Sequence, residues 1–576
     1  MKKYLPILEW LPNYNWSVFK KDLPAGLTVG IMLIPQGMAY AMIAGLPAVF
    51  GLYAALLPQV IYAILGTSRQ LAVGPVAMDS LLVASGLGAL SIAGIEDYIS
   101  MAIFLAFAMG LIQLTLGFLK MGFLVKFLSK PVISGFTSAA AIIIGLSQLK
   151  HLLGVDIERS SRIHELIINT GNVISGTNWI TLLVGLSGIL IILAIKKWMK
   201  KIPAALVLVV FGILVTYLLH LNEYGVSIVE EVPSGLPSFG VPAANWENVL
   251  ELLPIAATLA LIAFMEAISV AKAVEERHDD YKVDPNQELI ALGASNVFGS
   301  ILQSYPVTGG FSRTAVADQA GAKTGMAAIV SSIVVLLTLL FLTPLFYYLP
   351  KALLASIIMV AVFGLIDFKY PIRLLKYRFD EFVLLLVTFC ITLTVGITQG
   401  IGVGVLLSMI LLVYRTSKPH IAELGIVKGT SLLRNIDRFN AKVEEIEDVL
   451  ILRFDAQLYY GNKDFFKEQV LTRITDKKPN VFILNARSIN YIDSTGMLEL
   501  NSVINEVKEN NIRFIIADAI GPIRDLLYKS GTIDILGKEN LIVNTNEAIS
   551  VIKEGKKPDG ILVEMAHQHS VTNDTV

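Results

Sequence analysis

The stretch Gly309-Gly310-Phe311-Ser312-Arg313-Thr314 sets an arginine among hydrophobic segments. An arginine inside a bilayer costs about 2.5–3.5 kcal/mol on insertion scales, so it is rarely idle. The two glycines disfavour a continuous helix and mark a break just ahead of it. A helix that starts at mid-membrane with a fixed positive charge in its first turn is a place to hold an anion. Backbone amides near Phe311 and Ser312, and the hydroxyls of Ser312 and Thr314, are the candidate donors beside Arg313.

Other residues have the chemistry to share that task. Glu266 lies within Leu261-Ile262-Ala263-Phe264-Met265-Glu266-Ala267-Ile268-Ser269. Desolvation favours a neutral carboxyl and a nearby arginine favours an ionised one. That competition suits proton coupling, with Glu266 taking a proton as the anion binds; the alternative is a static Glu266–Arg313 salt bridge. Asp79 sits one turn into a second short helix, where its charge helps the helix start but opposes a bound anion. Its alternatives are pairing with Arg313, binding sodium, or facing away. Gln36 and Tyr40 are spaced i, i+4 on one helix face. Gln36 can donate to an oxyanion and Tyr40 can close the pocket; the alternative is helix packing. Val76 and Ala77 offer backbone amides at the second helix start.

These residues need elements to position them. The chain has 576 residues and is 54% hydrophobic and 16% charged, which implies a polytopic membrane protein. A formal net charge of -1 implies no bulk attraction to nucleic acid. The single cysteine, Cys390, permits no intrachain disulfide and is expected in the core of an apolar segment. Met1 to Asp22 lacks the apolar run of a cleavable signal, so the first spanning helix is expected to direct insertion.

A span needs about 20 mostly apolar residues. Leu23–Ser68 carries no charge and has room for two helices. Other runs are Tyr98–Leu119, Pro131–Leu149, Leu166–Ile195, Ile202–Asn222, Leu289–Ser312, Thr324–Pro350 and Phe382–Tyr414. Shorter or interrupted ones fall at Leu71–Leu90, Leu252–Ala271 and Ala352–Ile366. With two short helices the reading is 14 segments, after a cytosolic segment 1–22 and within a transport domain 23–417. With the N-terminus in the cytosol, the outer side carries only Lys150, Arg159, Arg162 and Lys351 as basic residues, as the positive-inside rule asks. The loop Asn222–Glu251, with five acids and no Lys or Arg, suits the outer side too.

The segments divide into halves of seven, about 23–222 and 252–417. Seven is odd, so the second half is inverted. The third segment of each half is anomalous. One opens with Ala72-Val73-Gly74-Pro75, its proline suited to a helix start, and the other with Tyr305-Pro306-Val307-Thr308-Gly309-Gly310. Each reads as an extended lead-in and a short helix, and the two helix N-termini are expected to meet near the bilayer centre. Paired interruptions in inverted repeats point to a transporter site. The alternative is two kinks that bind nothing.

Beyond Lys418 the composition changes. Val449–Phe454, Val481–Leu484 and Arg513–Ala517 read as strands, and Asn462–Ile474, Ser494–Glu509 and Ile523–Ser530 as amphipathic helices. Residues 437–554 therefore read as a small α/β domain. It has no phosphate-binding Gly-Lys-Ser loop, which disfavours nucleotide-driven transport. Residues 555–576 read as disordered, with His567 and His569 forming no metal set. No His/Cys cluster has ligand spacing, so a catalytic role such as carbonic anhydrase is not expected.

Pro35-Gln36-Gly37-Met38-Ala39-Tyr40, followed by Pro47-Ala48-Val49-Phe50-Gly51-Leu52-Tyr53, resembles the signature of the SulP (sulfate permease) family of anion transporters. So does Gly66-Thr67-Ser68-Arg69 leading to Val73-Gly74-Pro75-Val76. Asn286-Gln287-Glu288-Leu289 with Gly293, Asn296 and Gly299 resembles a further block, and the tail resembles a STAS domain with Asp493-Ser494-Thr495-Gly496 at its loop. The resemblance runs from about Leu5 to Ile552. It implies a 7+7 inverted-repeat fold of core and gate domains, homodimers, and elevator-like movement of the core. It implies an anion held between helices 3 and 10, with helices 1 and 8 lining the site. It supports a basic residue at Arg313 and site roles for Gln36 and Tyr40. Asp79 departs from the family's mostly apolar or hydroxyl residue there. Ser494 matches the place where bacterial STAS-type regulators are phosphorylated; the alternative is that Asp-Ser-Thr-Gly serves as a helix cap.

The function expected is secondary active transport of an inorganic oxyanion, sulfate, by proton symport, because two helix ends and an arginine suit a dianion. The runner-up is sodium-coupled bicarbonate or dicarboxylate uptake through Asp79, followed by anion exchange. From a different class comes a membrane-anchored signalling scaffold whose STAS domain binds a cytosolic partner. No cofactor is expected beyond a coupling proton or sodium ion. The expected location is a bacterial inner (plasma) membrane with both termini cytosolic.

Overall fold

The computed structural model describes residues 5–554 apart from 89, 91–93, 124–128, 159, 161, 200–202, 241–245, 365 and 440–441. Arg159 and the tail from 555, with His567 and His569, lie outside the described residues. The chain divides into two compact units, Met1–Ser408 and Met409–Val576.

The first half of the helical region runs α1 (Trp16–Ile43), α2 (Leu57–Leu65), β1 (Val73–Gly74), α3 (Ala77–Gly88), α4 (Ile95–Phe118), α5 (Lys130–Ser147), α6 (Trp179–Trp198) and α7 (Ala204–Leu219). The second runs α8 (Trp246–Glu275), α9 (Pro285–Ile301), β2 (Thr308–Gly309), α10 (Phe311–Gln319), α11 (Met326–Leu337), α12 (Lys351–Phe363), α13 (Phe379–Thr394) and α14 (Ile397–Ser417). Among the described residues, seven helices are long and apolar enough to cross a membrane, and four shorter ones are apolar too. The packing survives exchange of the halves. Helix α1 packs on α11 as α8 does on α4, α5 on α13 as α12 does on α6, and α9 on α4 as α2 does on α11. Strands β1 and β2 pair antiparallel, as a two-fold relation between the halves requires.

Local chemistry starts and joins these helices. Asp284 caps α9 by accepting the amides of Asn286 and Gln287, with Pro285 at the first helical position. Helices α4 and α9 touch backbone to backbone: a Cβ on Gly110 would lie 2.7 Å from the Gly293 carbonyl oxygen. Small residues permit such approach where no hydrophobic force drives helices together.

Two expectations about this region are corrected. The run Leu166–Ile195 is not one span: a separate helix ends at Val173, and α6 starts at Trp179, capped by Asn178. No charge marks that break, so hydropathy alone runs through it. Cys390 is exposed on α13 rather than in a core. A lipid-facing surface is itself apolar, so an apolar segment does not imply an interior position. Helices α6 and α7 show the same outward face with Leu183, Leu190, Phe211 and Leu214, and Trp179 and Trp198 stand exposed at the two ends of α6, as interfacial tryptophans do.

The second unit holds β3 (Ile421–Val427), β4 (Leu433–Asn435), β5 (Val443–Glu444), β6 (Val449–Phe454), α15 (Lys463–Lys477), β7 (Val481–Asn485), α16 (Ser494–Glu509), β8 (Arg513–Ala517), α17 (Gly521–Lys529), α18 (Thr532–Leu536), β9 (Leu541–Ile542) and α19 (Thr545–Glu554). The sheet order is β4-β3-β6-β7-β8-β9, with β5 also on β3 and β6 through β9 parallel. Alternation splits its side chains between two cores, one with Leu450, Phe482 and Phe514, the other with Ile451, Ile483 and Ile515. The sheet takes in Ile421–Val427, ahead of residue 437 where the sequence reading starts the domain. Strand β3 lies just past the last spanning helix, and its pattern is broken by Glu423 and Gly425.

Candidate functional site

Strands β1 and β2 form a two-rung ladder, Val73 opposite Gly309 and Gly74 opposite Thr308. Beyond it, the Gly310 amide donates to the Ala72 carbonyl at 3.0 Å. The Ala72 amide donates to Thr314 Oγ1 at 3.0 Å, and that hydroxyl donates to the Gly310 carbonyl at 2.7 Å. Asn296 on α9 holds Val307 by both backbone groups, at 3.0 and 2.9 Å. Thr308 Oγ1 donates to the Ala263 carbonyl of α8 at 2.6 Å, and Tyr305 Oη and Ser80 Oγ share a bond of 3.1 Å. Non-helical backbone at membrane depth survives only when its polar groups find such partners.

Both half-helices start at this ladder. In α10 the amides of Phe311, Ser312 and Arg313 precede the first helical bond, from the Thr314 amide to the Gly310 carbonyl. In α3 those of Ala77, Met78 and Asp79 precede the bond from the Ser80 amide to the Val76 carbonyl. The first N–H groups of a helix lack partners inside it. Two sets of donors therefore begin beside one crossing, as the sequence predicts.

Arg313 is 1% exposed. Its Nη1 donates to the Pro75 carbonyl at 2.7 Å, while Nε and Nη2 have no hydrogen-bond partner. The guanidinium folds over Gly310, where a Cβ would lie 2.6 Å from Nη2, so a side chain at position 310 would displace the guanidinium. Buried polar groups are seldom left unfilled, and guanidinium donors fit oxyanions. Asp79 is fully buried, and both its oxygens, with Oε2 of Glu266, also lack partners. Arg313, Glu266 and Tyr40 lie within electrostatic reach of one another, as do Glu266 and Asp79. The pairing of Arg313 with Asp79 is not formed, nor is the static Glu266–Arg313 bridge: no hydrogen bond joins the guanidinium to either carboxylate.

Gln36 and Tyr40 are buried on α1, and Oε1 of Gln36 is another acceptor without a partner. Ala77 is buried, Val76 half-buried, and Phe311 and Ser312 are exposed. Thr314 is corrected: its hydroxyl proton goes to Gly310, so it splices the ladder rather than offering a donor to an anion. Ser494 is the exposed first residue of α16, and the cap within Asp-Ser-Thr-Gly is Asp493, which accepts the Gly496 amide at 2.6 Å. Sequence reasoning gave no role to the Pro75 carbonyl, Asn296 or Thr308. Pro75 and Asn296 stood inside recognised motifs, which was the available signal. Of the histidines, His278 meets Asp318 at 2.7 Å and His420 meets Asp455 at 2.9 Å. Among the described residues no group of three or more His, Cys, Asp or Glu could hold a metal ion.

Comparison with known proteins places this architecture. The profile of the sulfate permease family matches residues 19–388, and that of the STAS domain matches residues 440–548. The chain is 37% identical over 570 residues to sulfate transporter 4.1, chloroplastic, of Arabidopsis thaliana, spanning 95% of this chain and 82% of that one. The structure of SLC26A9 superposes with a TM-score of 0.87 at 25% identity, covering 96% of this chain and 93% of that one. The transmembrane domain of a cyanobacterium bicarbonate transporter, BicA, shares the fold with a TM-score of 0.60 at 23% identity, covering 69% of this chain and 98% of that one. With its paired half-helices, its C-terminal STAS domain and these relatives, the chain belongs to the sulfate permease family.

Proposed function

We propose that this membrane transporter carries sulfate inward together with protons. The observation that carries the reading is Arg313, buried where two helices begin, with two donors open, the Glu266 carboxylate in electrostatic reach, and the unpartnered Asp79 carboxylate within reach of Glu266. Two ionised carboxylates outweigh one guanidinium, so a fully charged site repels a dianion. Protonating them turns repulsion into attraction, which links proton binding to anion binding. Glu266 is the coupling residue in this reading and Asp79 a second proton site. Gln36, Tyr40 and the amides of Val76, Ala77, Phe311 and Ser312 complete the seat. The names of the curated relatives support sulfate as the cargo.

Packing supports an elevator-like step. Helices α1, α2, α4, α8, α9 and α11 pack among themselves, and α5 with α13 and α6 with α12 form the other group. The first group moves against the second in this proposal. A homodimer, a cytosolic partner for the STAS domain, and an inner (plasma) membrane location with cytosolic termini belong to the same reading.

The test is purified chain in liposomes with labelled sulfate. An inward proton gradient should drive uphill accumulation that a protonophore collapses. Accumulation driven by a sodium gradient alone would replace the proton with sodium, using the same carboxylates. Absence of flux under either gradient would leave the scaffold reading.

A further inference from the structure

On the topology proposed above, basic residues are rare on the outer face, yet Lys150 and Lys351 line one cavity of about 270 Å³. Lys150 follows α5 and Lys351 opens α12, counterpart helices of the two halves. His151 and Glu231 complete the charged lining, while Met42 and Ala48 form the wall at the end of α1. Met42 lies six residues beyond Gln36, about 9 Å along the helix axis. The segment bearing Glu231 is tied to the chain before α12: the Val229 amide donates to the Leu349 carbonyl at 2.9 Å, and the Lys351 amide to the Ser227 carbonyl at 2.9 Å. The cavity has room for a small oxyanion and water, since a water molecule occupies about 30 Å³ in the liquid.

Two lysines against one glutamate give this lining a positive balance. A cleft with a net charge and low-dielectric walls concentrates counter-ions. We propose that this cavity is an external anion-collecting site, which holds a small oxyanion between Lys150 and Lys351 before it passes along α1 to Arg313. The Glu231 carboxylate competes for the same cations and sets how readily the anion is taken. The inference rests on the transporter reading for its purpose, although the site itself can be detected without transport.

The experiment uses the full chain in liposomes with Cys390→Ser and a probe thiol from Ala48→Cys. Anionic and cationic methanethiosulfonate reagents are applied from outside, and their modification rates are normalised to a free thiol. A net unit charge about 6 Å away in a water-like dielectric shifts each reagent roughly threefold in opposite directions, giving a ratio of about tenfold in favour of the anion. Lys150→Gln with Lys351→Gln, which leaves Glu231 alone in the lining, should invert the ratio to about one tenth, and Glu231→Gln should raise it. Added sulfate should slow the anionic reagent. A ratio near one in the parent, or a ratio indifferent to both the lysine and glutamate changes, overturns the proposal. The Glu231→Gln arm predicts a gain, which a damaged fold would not produce. Normal reagent selectivity without sulfate flux would fail the transporter reading alone.

Discussion

Helices α3 and α10 occupy the same place in the two halves, and their third residues carry opposite charges, Asp79 and Arg313. Both side chains are buried. Arg313 reaches a carbonyl at Pro75, in the lead-in to the other half-helix, whereas Asp79 has no partner. A carboxylate in the first turn offsets the partial positive charge of a helix start, and a guanidinium adds to it. Pseudo-symmetry supplies two equivalent helix ends and the side chains distinguish them; in the proposed function, α10 holds the anion while α3 opposes it until a proton arrives.

The largest break in that comparison is Arg313→Gln. It removes the charge and the guanidinium fork, and charge-assisted hydrogen bonds contribute about 1.5–3 kcal/mol each. Sulfate uptake into liposomes should fall by roughly 100-fold or more, with Arg313→Lys intermediate because it keeps the charge without the fork. Uptake within a few-fold of the parent would mean that the two helix ends are not distinguished by charge.

The carboxylates sharpen the comparison. Glu266→Gln should abolish uphill accumulation and flatten the pH dependence of uptake, while downhill sulfate exchange persists. Asp79→Asn should keep accumulation and lower the half-saturating sulfate concentration about fivefold, because an opposing charge worth on the order of 1 kcal/mol is gone. Exchange of these two phenotypes would move the coupling role to α3. A smaller effect is expected at Gly310, where a Cβ meets the guanidinium. Gly310→Ala should cut uptake about tenfold with normal folding, a loss of about 1.4 kcal/mol in positioning. Val76, at the corresponding place before α3, is half-buried and already carries a Cβ, so Val76→Ala adds no atom there and should leave the rate near that of the parent.

Much of this was legible because it rests on residue types with strong preferences. Glycine and proline around 74–75 and 306–310 announced two interrupted helices, and an arginine in apolar surroundings announced the candidate site. The strands Val449–Phe454 and Arg513–Ala517 were legible from runs of β-branched and aromatic residues. What stayed hidden depends on backbone groups or on the surroundings. The Pro75 carbonyl has no side-chain signature, and the hydroxyl of Thr314 is equally suited to an anion or to Gly310 until the ladder is in place. Cys390 and the break before α6 were misread because an apolar run looks the same whether it faces protein or lipid.

A third helix start sets a capped end against the two uncapped ones, at the smallest scale of effect. Helix α16 begins like α10, with free amides in a first turn, but Asp493 closes it by accepting the Gly496 amide and also the Tyr460 amide, at 3.0 Å. Loss of such a cap costs about 1 kcal/mol. Asp493→Ala should therefore speed hydrogen exchange at the Gly496 amide about fivefold and lower the stability of the STAS unit by about that amount. Ser494→Ala, at an exposed first helical position, should change either measure by less than about 0.5 kcal/mol. If Ser494→Ala proved as costly as Asp493→Ala, the serine would share the cap. If neither mattered, closing a helix end with a side chain would not distinguish α16 from the open ends at Arg313 and Asp79.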